Sequence, residues 1–422
     1  MTDPVEARPF GVRFQEAIDY LKGKLPESTL TSSDLAGPVH GKVFAVAGAV
    51  KTDLVSDIQA SLVQGLTDGT TITDFRKQFD QAVQKHGWSY KGKRGWRTAV
   101  IFDNNMRSAH MAGRWAQLQA GKDRRPYLQY RTAGDARVRP QHRQWNLKIF
   151  HIDDPFWQTH YPPNGWNCRC TIRAYSERDL ERKNLQVSEP FQMDTREVVT
   201  RDGEITDVVP VGIDPSWDHN VGQSWIAPEM ALGRKLARLP RQLQGIVVDK
   251  TITPAFQTVL SDNFKAFRTS VKAASKPDGS AQIVGFLDSA TLNGLAREVP
   301  DLALESTAVT VLDRRTLHLE GVHKQASNPA QVWSDTQINV LPADLRDYQA
   351  VLWDAVDQVL VIVPTEPLQV GKGATRWAKV VLRPNVKTKF GQAVSVVSLG
   401  SAQARNLSEA RYVPLVGHAP KN

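Results

Sequence analysis

The chain has 422 residues, and its 53 lysines and arginines outweigh 44 aspartates and glutamates to give a formal net charge of +9. That length suffices for two or three domains with separate cores, and the basic balance favours polyanionic partners, nucleic acid first among them, without specifying one. Two cysteines exclude a disulfide framework and fit a reducing compartment; no apolar run approaches the roughly 20 residues of a membrane span, and the opening MTDPVEARPF is not expected to act as a secretory signal.

Residues 1–125 are expected to form a mainly helical part. Phe14, Ile18, Leu21 and Leu25 recur at three- and four-residue spacing and give one apolar stripe. Asp53 opens a second helix carrying Leu54, Ile58, Leu62 and Leu66, which ends near Gly69. A third begins at Thr73, with Phe75, Phe79 and Val83 on one face and Gly87 as its stop. Residues 88–95 (WSYKGKRG) interleave aromatics with cations, either as a solvated loop or as a contact for phosphates. A long helix is expected from Gly95 to Gln119, where Asp103, Asn104, Asn105, Arg107 and His110 interrupt the apolar stripe. That interruption points to an interface or a polar network in the core.

Residues 126–230 are expected to form a small irregular module rich in Cys, His and Trp, followed by a hairpin. Within residues 130–173 lie Cys168 and Cys170, three histidines (His142, His151, His160) and Trp145, Trp157 and Trp166. Aliphatic residues are too few there to build a large core, so something else must hold the shape. Thiolate sulfur and imidazole nitrogen suit tetrahedral zinc, and the candidate ligands are Cys168, Cys170 and His142 or His160. The usual structural pattern spaces its cysteines by about two to four residues, and a one-residue gap strains two ligands on one metal. Two reduced, buried cysteines acting as small hydrophobes are the competing reading, and a redox or catalytic role is a third. Zinc is the one cofactor this stretch suggests. Beyond it, residues 175–184 read as a charged helix or linker. Residues 191–211 read as a hairpin turning at Arg201-Asp202-Gly203. The turn-rich run 212–225 then leads to a boundary near residues 228–240.

Residues 240–422 have a different texture. Phe256, Val259, Leu260 and Phe264 suggest a helix, and 275–280 a loop. Strands are expected at 283–287, 308–312, 358–363, 378–382 and 393–397, with a helix over 341–353 leading into the third. This pattern indicates an α+β domain around a small, mostly antiparallel sheet, and the whole chain an α+β multidomain protein.

Four elements in fixed order carry a resemblance. They are Tyr-Arg-Thr at 130–132, Gly-Asp-x-Arg-Val-Arg-Pro-x-His at 134–142, Asp-Pro-Phe-Trp at 154–157 and Tyr-Pro-Pro-Asn-Gly-Trp-x-Cys-Arg-Cys at 161–170. Together they resemble the phage Mu F-like minor head protein family. The likeness extends upstream to Phe14 and includes a helix of the form Asn-x-x-x-Ala-x-x-Ala-Gly-Arg at 105–114, with Asn104 standing where a threonine-like residue is expected. The resemblance implies a virion component acting near the portal in head assembly and DNA delivery. Its partners would be the portal and other head proteins, with packaged DNA nearby, and host cytoplasm its place during assembly. The residues that carry the likeness are Asp135, Arg137, Arg139, His142, Asp154, Cys168, Arg169 and Cys170, in structural, metal-binding or interfacial roles.

A second resemblance lies further on. Residues 312–324 (LDRRTLHLEGVHK), then a Leu-Pro helix and several strands, resemble the phage-associated barnase/EndoU/colicin/RelE-like nucleases. The resemblance implies an alternative reading, a delivered effector whose C-terminal domain cuts host RNA without metal. His318 and His323 would serve as base and acid, because imidazole titrates near neutrality. Lys324, Arg314, Arg315, Arg376 or Lys379 would stabilise the phosphate, and Ser395 or Ser398 would hydrogen-bond it. The opposing reading makes His318 a satisfied helix residue and the cations a solvated face. Residues 370–374 (VGKGA) lack the Gly-Lys-Ser/Thr ending of a phosphate-binding loop.

Overall fold

The computed structural model of the chain describes residues 14–31, 34–274, 276–319, 333–368, 376–388 and 391–420, with the side chains of 317–319 and 367–368 outside that description. The stripe that starts at Phe14 folds as helix α1 (Gln15–Lys22), burying Ala17, Ile18, Tyr20 and Leu21. It stops at Gly23. Leu25, expected on the same stripe, instead begins strand β1 (Leu25–Glu27), which runs parallel to β2 (Val43–Ala45). Helix α2 (Thr52–Asp68) ends where Gly69 turns left-handed at φ 72°, a conformation that penalises any Cβ. Helix α3 (Ile72–His86) opens on a reciprocal cap between Thr71 and Asp74 and stops the same way at Gly87. In the following loop Trp88 and Tyr90 pack on Phe79, and Arg94 Nε donates to Asp80 at 2.7 Å. Those aromatics therefore serve the core, and Lys91 and Lys93 remain exposed. Helix α4 (Arg94–Ala120) buries Ile101, Ala109, Ala112, Trp115 and Leu118, and part of its polar run turns inward too: Asn104 and Ser108 are buried.

The segment expected to be irregular is built on a sheet. Strand β3 (Tyr127–Arg131) lies between two antiparallel neighbours, β4 (Ile149–His151) and β5 (Thr171–Tyr175). Two short helices interrupt it, α5 (Pro140–Trp145) and α6 (Phe156–Thr159). Rings supply what aliphatic residues do not. Trp115, Trp145, Trp157, Tyr130 and Tyr161 are all fully buried, with edge-to-face pairs such as Trp115–Tyr161 at 4.9 Å and Phe156–Trp157 at 5.0 Å between centroids. Helix α7 (Glu177–Lys183) carries its own cap from Ser176 and Asp179. The hairpin of β6 (Thr195–Val199) and β7 (Ile205–Pro210) turns where Asp-Gly was expected to turn it, and helix α8 (Val221–Ile226) follows.

The chain divides into two compact units at Leu232/Gly233, within helix α9 (Pro228–Leu236). In the second unit come α10 (Arg241–Thr251), α11 (Pro254–Ala273), β8 (Ala281–Phe286), α12 (Ser289–Glu298), β9 (Ala308–Leu312) and α13 (Asp313–Leu319). After these lie α14 (Asp335–Asn339), α15 (Leu341–Asp344), β10 (Tyr348–Asp354), β11 (Val359–Pro364), β12 (Pro367–Leu368), β13 (Arg376–Thr388), β14 (Gly391–Ala402), α16 (Ala404–Leu407) and β15 (Tyr412–Gly417). One eight-stranded sheet runs β15-β10-β11-β13-β14-β9-β8, with β12 on β13. Every pairing is antiparallel except β14 with β9, so the sheet is mostly antiparallel as expected but larger than the small one anticipated. Alternate residues serve opposite faces. Val351, Trp353, Leu360 and Ile362 join one apolar cluster, and Ala350, Leu352, Val359 and Val361 another.

One expectation fails here. The helix foreseen over 341–353 ends at Asp344, and from Tyr348 the chain becomes β10, an inner strand paired on both edges. A short apolar run such as AVLW reads equally well as a helix face or a two-sided strand, and only partners on both edges choose between them.

Candidate functional site

The donor atoms of His142, Cys168 and Cys170 lie within 4.8 Å of one another, and all three residues are buried. Pro140 starts α5, where a missing N–H costs nothing, and one turn of that helix buries His142 beside Trp145, ring stacked on ring at 4.8 Å. The cysteines approach from the other side, on the turn that feeds β5; the Cys168 N–H donates to Gly165 O at 3.1 Å. His142 Nδ1 stands 3.8 Å from Cys168 Sγ and 3.5 Å from Cys170 Sγ. Its Nε2 lies 3.0 Å from Gly212 O, and a carbonyl only accepts. That bond assigns the proton to Nε2 and leaves the Nδ1 lone pair facing both sulfurs.

Both cysteines are free thiols. The Cys168 thiol is drawn well below its ordinary value, chiefly by the hydrogen bond from Cys170, against the opposing effect of burial. The Cys170 thiol is raised, by that same bond and then by burial.

The three donors line a cavity of about 300 Å3 together with Arg107, Arg137, Arg139 and Arg169. Arg139 is anchored by a two-pronged bond to Asp214, both prongs 2.8 Å, and also donates to Trp166 O at 3.1 Å. Asp214 accepts in addition from the Trp166 N–H at 2.9 Å. Gly165 makes this convergence feasible, because a Cβ there would run into both Arg139 and Asp214. Arg169 donates to Asp135 at 2.6 Å and holds that carboxyl at about 2, below the usual carboxylate range. The Arg137 side chain is exposed, 3.6 Å from Asp135, while its N–H donates to the same carboxylate at 3.1 Å.

Of the residues singled out in sequence, Asp135, Arg137, Arg139, His142, Cys168, Arg169 and Cys170 therefore come together. Asp154 does not: its Oδ1 accepts the Phe156 N–H at 2.8 Å and shapes the start of α6. His160 also lies apart from the three donors. It is buried with its ring stacked on Phe156 at 4.5 Å and its Nδ1 2.8 Å from Thr159 Oγ1. Three participants were not foreseen. Gly212 and Asp214 come from the turn-rich run seen only as a domain end, and Asn104 accepts the Asn167 N–H at 2.8 Å, one residue before Cys168. The polar interruption of the long helix was the available signal for Asn104.

In the second unit, Arg315 is half-buried on α13 and Arg314 is exposed. Ser395 is buried on β14, its hydroxyl donating to Thr310 O of β9 at 3.4 Å. Arg376 is tied to Ser401 at 2.8 and 3.0 Å. The backbone of His318 belongs to α13, but its side chain, and all of His323, Lys324 and residues 370–374, lie outside the described residues.

Residues 56–173 match the family described as Phage Mu protein F like protein. The chain is 27% identical over 438 aligned residues to a candidate capsid assembly protein F of Escherichia phage Mu, covering 97% of this chain and 96% of that protein. It is 30% identical over 224 residues to the Mu-like prophage FluMu F protein of Haemophilus influenzae, covering 47% of this chain and 54% of that protein. No solved structure matches the chain.

Proposed function

We propose that this chain is a head-morphogenesis protein of a Mu-like phage or prophage. The observation that carries the reading is the extent of the likeness to the Mu protein, 97% of one chain against 96% of the other. Both compact units fall inside that alignment, which supports the second as part of the same head protein and not an unrelated cargo. No helix of the described residues is long and apolar enough to cross a membrane, in keeping with a particle component.

The finer reading places the protein near the portal, docked to other head proteins, with packaged DNA as a neighbour. The net charge of +9 and the arginines around the Cys/His cluster support a polyanionic or acidic surface opposite it. The reading of the second unit as a metal-independent RNase draws no support from the described residues, since Ser395 is enclosed in the sheet and Arg376 is committed to Ser401. We take that unit as virion architecture.

The test is a phage or induced prophage with an early stop codon in this gene, complemented from a plasmid. Particles lacking the protein should fail to form complete heads, and the complemented ones should carry it in purified virions by mass spectrometry. Full yields of infectious particles without the protein would overturn the assignment. For the portal reading, cross-linking in purified virions should join this chain to the portal protein; cross-links confined to the shell would remove it.

A further inference from the structure

We propose that His142, Cys168 and Cys170 form a zinc site with three protein donors, whose fourth position opens on the arginine-lined cavity. Zinc–sulfur bonds of about 2.3 Å and zinc–nitrogen bonds of about 2.0–2.1 Å at tetrahedral angles put nitrogen and sulfur about 3.6 Å apart. The two nitrogen–sulfur separations here are 3.5 and 3.8 Å. The single intervening residue, which looked like an obstacle to sharing one metal, is not one. Arg169 turns away to Asp135 while both flanking sulfurs reach the same nitrogen.

The second observation is the orientation of the imidazole. A pair of thiols packed as small hydrophobes needs no ring nitrogen between them. Here the Gly212 carbonyl fixes Nε2 as the donor at 3.0 Å and aims Nδ1 at the sulfurs, the arrangement by which metal-bound histidines are held. Gly212 can bring its carbonyl so close because it has no side chain. Its φ is 94°, and a Cβ would strike Gln141 and Trp145. His160, equally plausible from sequence, is excluded by its place against Phe156.

Zinc takes both sulfurs as thiolates, and the thiol protons displaced on binding go to solvent, so that Zn2+ and two thiolates leave no net charge in the buried cluster. Three donors leave one place in a tetrahedron. The cavity beside it is bordered by four guanidiniums, Arg107, Arg137, Arg139 and Arg169, against one carboxylate, Asp103, which stands 3.8 Å from Arg107, so an anionic oxygen ligand, carboxylate or phosphate, is the chemistry that fits there.

The experiment uses the full chain, purified under reducing conditions without chelator. Mass spectrometry of the metal should find one zinc per chain, and exchange for cobalt should give sulfur-to-cobalt charge-transfer bands with the visible spectrum of a tetrahedral ion. Cys168→Ser, Cys170→Ser and His142→Asn should each lose the metal, while His160→Asn should keep it. Adding inorganic phosphate to the cobalt form should shift the visible bands. Because the ligand variants can fail to fold, the wild-type metal content and cobalt spectrum decide by themselves. A folded, reduced wild-type chain that holds no zinc and shows no charge-transfer band overturns the site. Zinc retained in both cysteine variants does the same. Bands indifferent to phosphate overturn the open position.

Discussion

The Cys/His/Trp-rich stretch of the first unit and the eight-stranded sheet of the second solve the same problem by different means. In the sheet, repeating backbone pairs do most of the placing, and alternation of side chains sends apolar groups to two faces. In the stretch around Cys168, three short strands are separated by turns and two short helices, and single long-range contacts fix the chain: Arg139 to Asp214, His142 to Gly212, Asn104 to Asn167. A ladder spreads its stability over many equivalent bonds, whereas a knot concentrates it in a few. Substitutions should therefore be felt more sharply in the knot.

The largest effect is expected from Trp157→Ala. That ring is fully buried among Phe150 and Phe156, and its removal should cost the first unit about 3–5 kcal/mol by denaturant unfolding. Val361→Ala, a buried inner-strand residue of the sheet, should cost only about 1–3 kcal/mol. Equal losses would end the distinction between knot and ladder.

Next comes a pair of charge-assisted bonds. Arg268 is nearly enclosed on α11, donating to Asp335 Oδ1 at 2.7 Å and to the Asp335 carbonyl at 3.3 Å, so it pins α14 to α11. Arg268→Met should destabilise the second unit by about 1–3 kcal/mol. Asp214→Asn keeps shape but removes the charge that faces Arg139. A loss of about 1–2 kcal/mol is expected, with a drop in metal content that Arg268→Met does not share. If Asp214→Asn keeps its zinc, the arginine anchor and the cluster are independent.

The smallest effects are opposite slopes against pH. Lys24 is 7% exposed with its ammonium 4.1 Å from the Tyr20 ring, and burial lowers its pKa to about 7. The unfolded chain keeps that proton up to its ordinary value near 10.5, so the first unit should gain stability as pH rises from about 7 toward 10. Asp344 is raised to about 7, first by burial and then by the charge of Asp347. Its unfolded form loses the proton near 3.8, so the second unit should lose stability from about pH 4 to 7. Lys24→Met should flatten the first slope. Asp344→Asn should raise the second unit's stability by roughly 1–2 kcal/mol at pH 8 and not at pH 4. Thermal unfolding of each variant across that range checks both signs.

Much of the architecture was legible because its signals are local. Gly69 and Gly87 stop their helices and Asp202-Gly203 turns the hairpin, each by contacts reaching only a few residues along the chain. The Mu F-like likeness was legible for a related reason, since its motifs are short and densely packed with uncommon residues. Those same motifs brought Asp135, Arg139, His142, Cys168 and Cys170 onto one list before any distance was known. Tertiary structure decided the rest. Whether residues 348–354 were helix or strand depended on β11 and β15, and which imidazole joined the sulfurs depended on Gly212, seventy residues from His142. Spacing names the groups able to meet. Only packing, which must pair most buried polar groups at once, selects those that do.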